Sequence, residues 1–492
     1  MLGALVFVVF FPAIPAIDLW FWNPAAPGAQ AVRLNPLGIL LDILHNTDSG
    51  GQQASGTGLL RGVVLVAGGL WLMRLRRLPP RLAPLVLCGL VFLGVALISS
   101  LRSSHVHDAL LSWLDYVVVW LAFLIAADLT CELQHAGWSV STALARLLVV
   151  TAAFVMPAAI VRFMVDVGKD YGAMSGSFYQ PNMFSSYLEF ALGAGLALYL
   201  ARPPGVAPSP SPQPRPLFSA SFWPWLAGGV LVSVIVGLYR SYSQGAWIVS
   251  WAILLLVLAL LAPHRPWLRY LLTCLAILAL AALAALGFRS FSPLLALAAL
   301  GQLALLFWLL RPLSPPTTLY LVVLALAAFL MARQVVPLVA KVDPTERALT
   351  VARGTDVNVH ARFVFYRGAL RIFAQHPLLG VGPQGFQRYY PQYQEDVIYF
   401  SKFSHCIWLT ILCETGLAGF LPVLAGTGWA FWMALRWPGR APARAGLLAG
   451  ATGFLVHSTF DVQWEFLALP LTLAVVAGVL VGEVVEEAPL GD

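Results

Sequence analysis

Three arginines, Arg362, Arg367 and Arg371, and a histidine, His405, stand in the one long hydrophilic stretch of an otherwise apolar chain. Guanidinium groups bind phosphate oxygens in bidentate fashion, and an imidazole near neutral pH can take a proton from a hydroxyl. Arg367 and Arg371 lie four apart in residues 361–375, where Phe363, Tyr366, Leu370 and Phe373 recur at helical spacing. The spacing predicts an amphipathic helix lying on a membrane surface. Its arginines either anchor it there or hold an anion, such as a phosphate on a lipid carrier. Pro377 stops the helix, and the glycines of LLGVGPQGF (Gly380, Gly382, Gly385) permit a tight turn and close approach to a ligand. No strand precedes them, so this is not a dinucleotide fingerprint. His405 falls at the mouth of an apolar helix, where the helix dipole disfavours an imidazolium and suits a neutral base; a plain hydrogen-bonding histidine is the other reading.

Three further clusters are candidates to converge on that site. GSFYQPN, residues 176–182, carries Gln180 and Asn182 and leads into an apolar run with Glu189 two turns deeper. An ionisable residue at that depth is a functional candidate, or the partner of a group on another helix. YRSYSQGAW, residues 239–247, is a short turn carrying Arg240 and Gln244. HSTFD places His457 and Asp461 four apart, either as two metal ligands or as a hydrogen-bonded pair. With no third ligand in view, no metal site is expected.

The elements that position these residues follow from composition. Of 492 residues, 60% are hydrophobic and only 10% charged, and the mean hydropathy is +0.81. Soluble domains carry about a quarter charged residues, so this is a polytopic membrane protein. The five cysteines show no disulfide or metal-ligand spacing. Apolar runs of spanning length fall near 2–20, 58–74, 83–101, 109–128, 145–165, 183–201, 221–239, 245–262, 268–287, 291–310 and 317–333, then 405–435, 445–460 and 466–484. The expected fold is therefore all-α, with about 14 transmembrane helices and one large outer loop containing amphipathic helices. The first run lacks a basic leader and reads as a retained span. Arg74, Arg76, Arg77 and Arg81 mark the turn after the second span as cytoplasmic. Alternation then puts both termini inside and the segment from Arg333 to Lys402, with nine basic residues against five acids, outside. The chain divides into a bundle of about 11 spans over 1–333, with a proline-rich cytoplasmic linker at 202–217; a large outer loop over 334–404; and C-terminal spans with a short acidic tail over 405–492. No internal repeat is visible. The run from His405 to Arg436 is about 46 Å long as one helix at 1.5 Å per residue. That exceeds a hydrocarbon core of about 30 Å, so a break is expected near Gly416 or Gly419, with His405 topping a separate short helix.

The order of these pieces resembles the O-antigen ligase and polymerase superfamily of bacterial polysaccharide assembly. The resemblance rests on Arg362 opening an amphipathic helix, on His376-Pro377-Leu378-Leu379-Gly380-Val381-Gly382 through Phe386, and on His405 followed by Glu414, Gly416 and Gly419. It is specific over 358–420, weaker at 176–182 and 243–247, and architectural elsewhere. Two positions depart from the family pattern. Cys406 stands where an asparagine is usual, and Gln244 stands where an arginine is usual; Arg240, one helical turn earlier, supplies the charge if the helix continues.

The resemblance implies glycan transfer from an undecaprenyl-diphosphate carrier to an acceptor hydroxyl at the periplasmic face of the bacterial inner membrane. It implies a metal-independent, inverting enzyme without a cofactor. Arg362 and His405 become the catalytic candidates, as diphosphate clamp and acceptor base. Arg240, Gln244, Arg367, Arg371, Gln180, Asn182, Gly382 and Glu414 become substrate-binding candidates. The acceptor is lipid A–core for a ligase, another glycan for a polymerase, or a protein hydroxyl for an oligosaccharyltransferase; the ligase-like reading comes first. A transporter or flippase would instead distribute charges through the span interiors around a midplane site, whereas Glu189 alone is expected to break nearly charge-free spans.

Overall fold

Lipid offers no hydrogen-bond partners to a backbone, so apolar runs of this length must satisfy their peptide groups internally, as helices. The computed structural model describes residues 1–13, 54–74, 79–165, 174, 178, 180–200, 222–241, 243–261, 357–395, 398–435 and 441–487. These residues are helical, with no strand among them. The helices are α1 (Leu2–Phe10), α2 (Ala54–Arg74), α3 (Ala83–Arg102), α4 (Val106–His135), α5 (Val140–Val165), α6 (Pro181–Leu200), α7 (Phe222–Arg240) and α8 (Gln244–Leu261). After a long interval come α9 (Val357–Gln375), the one-turn α10 (Phe386–Tyr389), α11 (Ile407–Leu435), α12 (Pro442–His457) and α13 (Ala468–Glu487). Among the described residues, five helices are long and apolar enough to cross a membrane: α2, α3, α4, α5 and α11. Helices α6, α7, α8, α12 and α13 occupy the expected runs near 183–201, 221–239, 245–262, 445–460 and 466–484. The expected runs near 268–287, 291–310 and 317–333 and the linker at 202–217 lie outside the described residues.

Helix α13 packs along α4, α12 along α6, and α3 along α11, while α7 and α8 flank α6. The approach of α6 to α12 depends on small residues, as is usual where helices meet in lipid. A methyl group on Gly446 would lie 2.1 Å from the Gly193 carbonyl oxygen, and one on Gly193 would lie 2.2 Å from that of Gly446. This close crossing brings Glu189 on α6 against the C-terminal end of α12.

The spans carry more charge than the sequence suggests, and the charges are paired. Asp115 on α4 receives a bidentate hydrogen bond from Arg61 on α2, at 2.7 and 2.8 Å. Asp128 accepts the Trp71 indole N–H at 2.8 Å. Arg444 on α12 donates to Glu483 on α13 at 2.9 Å, and Glu483 also accepts the backbone N–H of Ser141 at 3.0 Å. Arg444 and Glu483 are both buried. Arg444→Ala, which strands a buried carboxylate, is expected to cost about 3–5 kcal/mol, read as a lowered unfolding temperature in detergent. Replacing both partners by apolar residues is expected to cost much less.

Helix α11 breaks at Gly416, one of the two positions expected from its length, with φ 64° and ψ −170°. The break leaves backbone groups in the middle of an apolar helix, and the turn after α9 satisfies them. The N–H groups of Val381 and Gly382 donate to the carbonyls of Cys413 and Glu414 at 3.1 and 2.8 Å. Those of Leu417 and Ala418 donate to Pro377 and Leu378 at 2.9 and 3.1 Å. Ser99, at the end of α3, closes the junction by donating to Leu379 O at 2.6 Å and Glu414 O at 3.0 Å.

Helix α9 begins four residues earlier than its apolar spacing predicts and turns a different face inward. Val364, Phe365, Gly368, Ala369 and Ile372 are buried, and Phe365, Ala369 and Ile372 pack with Val381, Phe386, Tyr390 and Cys413. Phe363 and Leu370, on the apolar face that the spacing marks, are exposed. The helix is apolar on two sides, and periodicity alone does not say which side meets protein.

Candidate active site

The site is organised by Asp461, at the turn between α12 and α13, whose side chain is 2% exposed. Arg362 on α9 donates to its Oδ2 at 3.1 Å, and the amide of Asn182, in the first turn of α6, donates to the same oxygen. Val462 N–H donates to Oδ1 at 2.9 Å, and His405 Nδ1 stands 3.5 Å from Oδ1. One carboxylate thus joins the two sequence-derived catalytic candidates and one of the binding candidates. Burial pushes the Asp461 carboxyl up, but the approach of His405 and the charge of Arg362 outweigh it, holding the group below the ordinary value of 3.8. A carboxylate depressed by folding adds stability that is full above its unfolded value and is lost as pH falls through the folded one. Asp461→Asn is therefore expected to lower the unfolding temperature at neutral pH and to narrow its gap from wild type below about pH 4.

His405 does not top a helix. It precedes α11 by two residues and takes the left-handed conformation, φ 57°, which costs a residue with a side chain energy and clusters at functional positions. Three contacts hold it there. Its ring stacks on Phe365 with centroids 5.3 Å apart. Its carbonyl shares the Tyr366 hydroxyl with Thr459 O, at 3.3 and 3.2 Å. The following Ile407 N–H donates to Ser458 O at 2.9 Å. Burial pushes the Tyr366 phenol up to about 12, so it acts as a neutral donor. The ring of His405 and the guanidinium of Arg362 remain 24% and 22% exposed, reachable by a ligand. Burial likewise raises the Cys406 thiol, which stays neutral and is a weak replacement for an amide.

His457 and Asp461 do not pair with each other, as their spacing suggested; each pairs elsewhere. His457 Nδ1 lies 2.7 Å from Glu189 Oε1 and 3.0 Å from Ser186 Oγ, and its Nε2 lies 3.3 Å from Ser243 Oγ. Among the described residues no group of three possible metal ligands occurs. The contact with Ser243 brings in the turn between α7 and α8. Arg240 ends α7 and Gln244 opens α8, so the continuous helix that would carry both does not exist. Arg240 is buried and its carbonyl accepts the Met174 N–H at 2.8 Å.

Other binding candidates are occupied within the protein. Arg367 and Arg371 converge on the one carboxylate of Glu395, at 2.6 and 2.7 Å; the Arg367 hydrogen bonds hold that carboxyl below its ordinary value. Gly382, at φ 93°, spends its N–H on Glu414 O, and a methyl there would meet Ser103 Cβ at 2.6 Å. The Glu414 carboxylate accepts the Phe386 N–H at 3.2 Å. Gly382 and Glu414 thus take part in the junction between the glycine turn and α11. Gln180 accepts the Phe184 N–H at its carbonyl, 3.1 Å away, in the cap of α6. The hub was present in the sequence as an aspartate at an outer helix end, but nothing in its spacing tied it to Arg362, 99 residues away.

Beside the site lies an apolar cavity of about 270 Å³ between α3, α4, α11, α12 and α13. Ile407, Trp408 and Trp464 line it near His405 and Asp461, and Phe92, Trp120 and Val481 line it farther away. No curated protein matches the chain. Residues 276–424, which include α9, the glycine turn, His405 and the broken part of α11, match the family model described as O-antigen ligase, and over these residues the chain is similar to that family.

Proposed function

We propose that this protein moves a glycan from an undecaprenyl-diphosphate carrier to an acceptor hydroxyl at the periplasmic face, in the manner of an O-antigen ligase. The family match supports membrane glycan transfer of the ligase or polymerase kind. The observation that carries the finer reading is the sharing of Asp461 by Arg362 and His405 beside an apolar cavity. Asp461 facing Nδ1 favours the tautomer with its hydrogen there, leaving Nε2 as the basic nitrogen. Nε2 takes the acceptor proton as the acceptor oxygen attacks the anomeric carbon from the face opposite the leaving diphosphate. The bond to the diphosphate breaks, and the anomeric centre inverts. Arg362 has guanidinium donors beyond the one on Asp461 to stabilise the departing charge. The prenyl tail lies along the cavity. Arginine neutralisation makes a divalent ion unnecessary.

The test is reconstitution of the purified protein with a defined undecaprenyl-diphosphate glycan and candidate acceptors, with and without a chelator. The expected result is a single adduct on lipid A–core, unchanged by the chelator. A ladder on the carrier makes the protein a polymerase, and a glycosylated protein makes it an oligosaccharyltransferase. No consumption of the donor with any acceptor overturns the proposal.

A further inference from the structure

We infer that Glu189 and His457 form a buried positioning pair that sets Asp461 against Arg362 and His405. The inference rests on the glycan-transfer reading. Both side chains are wholly buried, and the pair lies behind the site. Two routes lead outward from it. Along the side chains, His457 touches Ser186 Oγ, Ser186 donates to the Asn182 carbonyl at 3.0 Å, and the Asn182 amide donates to Asp461. Along the backbone, the turn from His457 to Val462 is closed by Phe460 N–H on His457 O at 3.1 Å. That same turn supplies Ser458 O to Ile407 and Thr459 O to Tyr366. A displacement of His457 therefore moves Asp461 and the entry to α11 together.

The neighbouring packing leaves His457 one place to be. A methyl on Gly245, in the first turn of α8, would lie 2.7 Å from His457 Nε2 and 2.4 Å from the Phe460 ring. Helix α8 thus presses on the imidazole from one side while Glu189 holds it from the other. A buried ion pair adds little stability that well-packed apolar side chains would not, and Glu189 Oε2 has no hydrogen-bond partner among the described residues. What the pair supplies is direction. It fixes the ring, and the ring fixes the turn.

The test compares wild type with Glu189→Gln, Glu189→Asp, His457→Gln and the Glu189→Gln/His457→Gln double variant, which leaves no lone buried charge. The expected result for Glu189→Gln and the double variant is a kcat lowered about 10- to 100-fold, as for a small misplacement of catalytic groups, with the donor KM little changed. The acid limb of the pH–rate profile should change as well, which loss of packing alone does not produce, and Glu189→Asp should recover part of the rate. Hydrogen exchange provides a readout independent of activity: the amides of Ile407 and Val462 should lose protection while α6 and the rest of α12 keep theirs. A double variant with wild-type kcat and pH profile overturns the inference. If the wild type itself transfers no glycan, the functional reading fails, and unchanged protection at Ile407 and Val462 then overturns the positioning role on its own.

Discussion

His405→Ala and Arg362→Ala are each expected to remove glycan transfer while leaving a folded membrane protein. Loss of a positioned general base costs about 10²–10⁴ in rate. Loss of a group stabilising the leaving charge costs about 10²–10³. Neither side chain is in the core: both are about a quarter exposed at the boundary of the bundle. Asp461, deprived of Arg362, keeps the Asn182 amide and the Val462 N–H, so the stability loss is expected to stay within about 1–3 kcal/mol. The measurement is product formed by purified variants in the reconstituted assay, with unfolding temperature recorded alongside. Because Asp461 faces His405 as well as Arg362, the Arg362→Ala/Asp461→Asn double variant is expected to be slower than Arg362→Ala alone. Wild-type product levels from both single variants would remove Arg362 and His405 from the chemistry.

Gly416→Val is expected to prevent the junction between α11 and the glycine turn from forming. At φ 64° and ψ −170°, Gly416 occupies a backbone region essentially restricted to glycine, where a substituted residue costs about 1–3 kcal/mol. Space is refused as well: a Cβ there would lie 2.3 Å from both the carbonyl carbon and the oxygen of Leu378. Those are backbone atoms, which cannot rotate away, so overpacking adds about 1–3 kcal/mol more. The N–H groups of Leu417 and Ala418 would then lose Pro377 and Leu378 as acceptors. Gly380 faces the same junction from the other side, at φ 64° with Glu414 backbone atoms 2.3 and 2.4 Å from its Cβ position, so Gly380→Val should fail in the same way. Gly428, with nothing near its Cβ position, serves as the control. Folded yield and unfolding temperature in detergent are the readouts. Full yield from Gly416→Val would mean that the junction does not hold α11 in its broken form.

Helix existence was legible in the sequence because its cause is local: an apolar run in lipid must bond to itself, whatever its neighbours are. The break in α11 was legible for a similar reason, since length against membrane thickness is arithmetic along one segment. The inward face of α9 was not. Phe363 and Phe365 are equally apolar, and only the presence of Phe386, Tyr390 and Cys413 on one side buries Phe365 and leaves Phe363 exposed. The glycine turn shows the same limit in another form. Its residue types permit a tight turn and a close approach to a ligand, and only the structure shows the Val381 and Gly382 N–H groups bonded to the Cys413 and Glu414 carbonyls beside the break at Gly416.

By itself the sequence determined the residue types for the chemistry, a guanidinium and an imidazole in the hydrophilic stretch, and a family pattern that includes both. It also contained each cluster that converges on them. What only the tertiary structure decided is the partner each group takes. Asp461 was read beside His457 and is bound instead to Arg362 and Asn182 and approached by His405. His457 is bound to Glu189, and Arg367 and Arg371 to Glu395. Spacing along a helix constrains pairs three or four residues apart, whereas these hydrogen bonds and ion pairs join residues from 24 to 279 positions apart, and the tertiary fold brings them together.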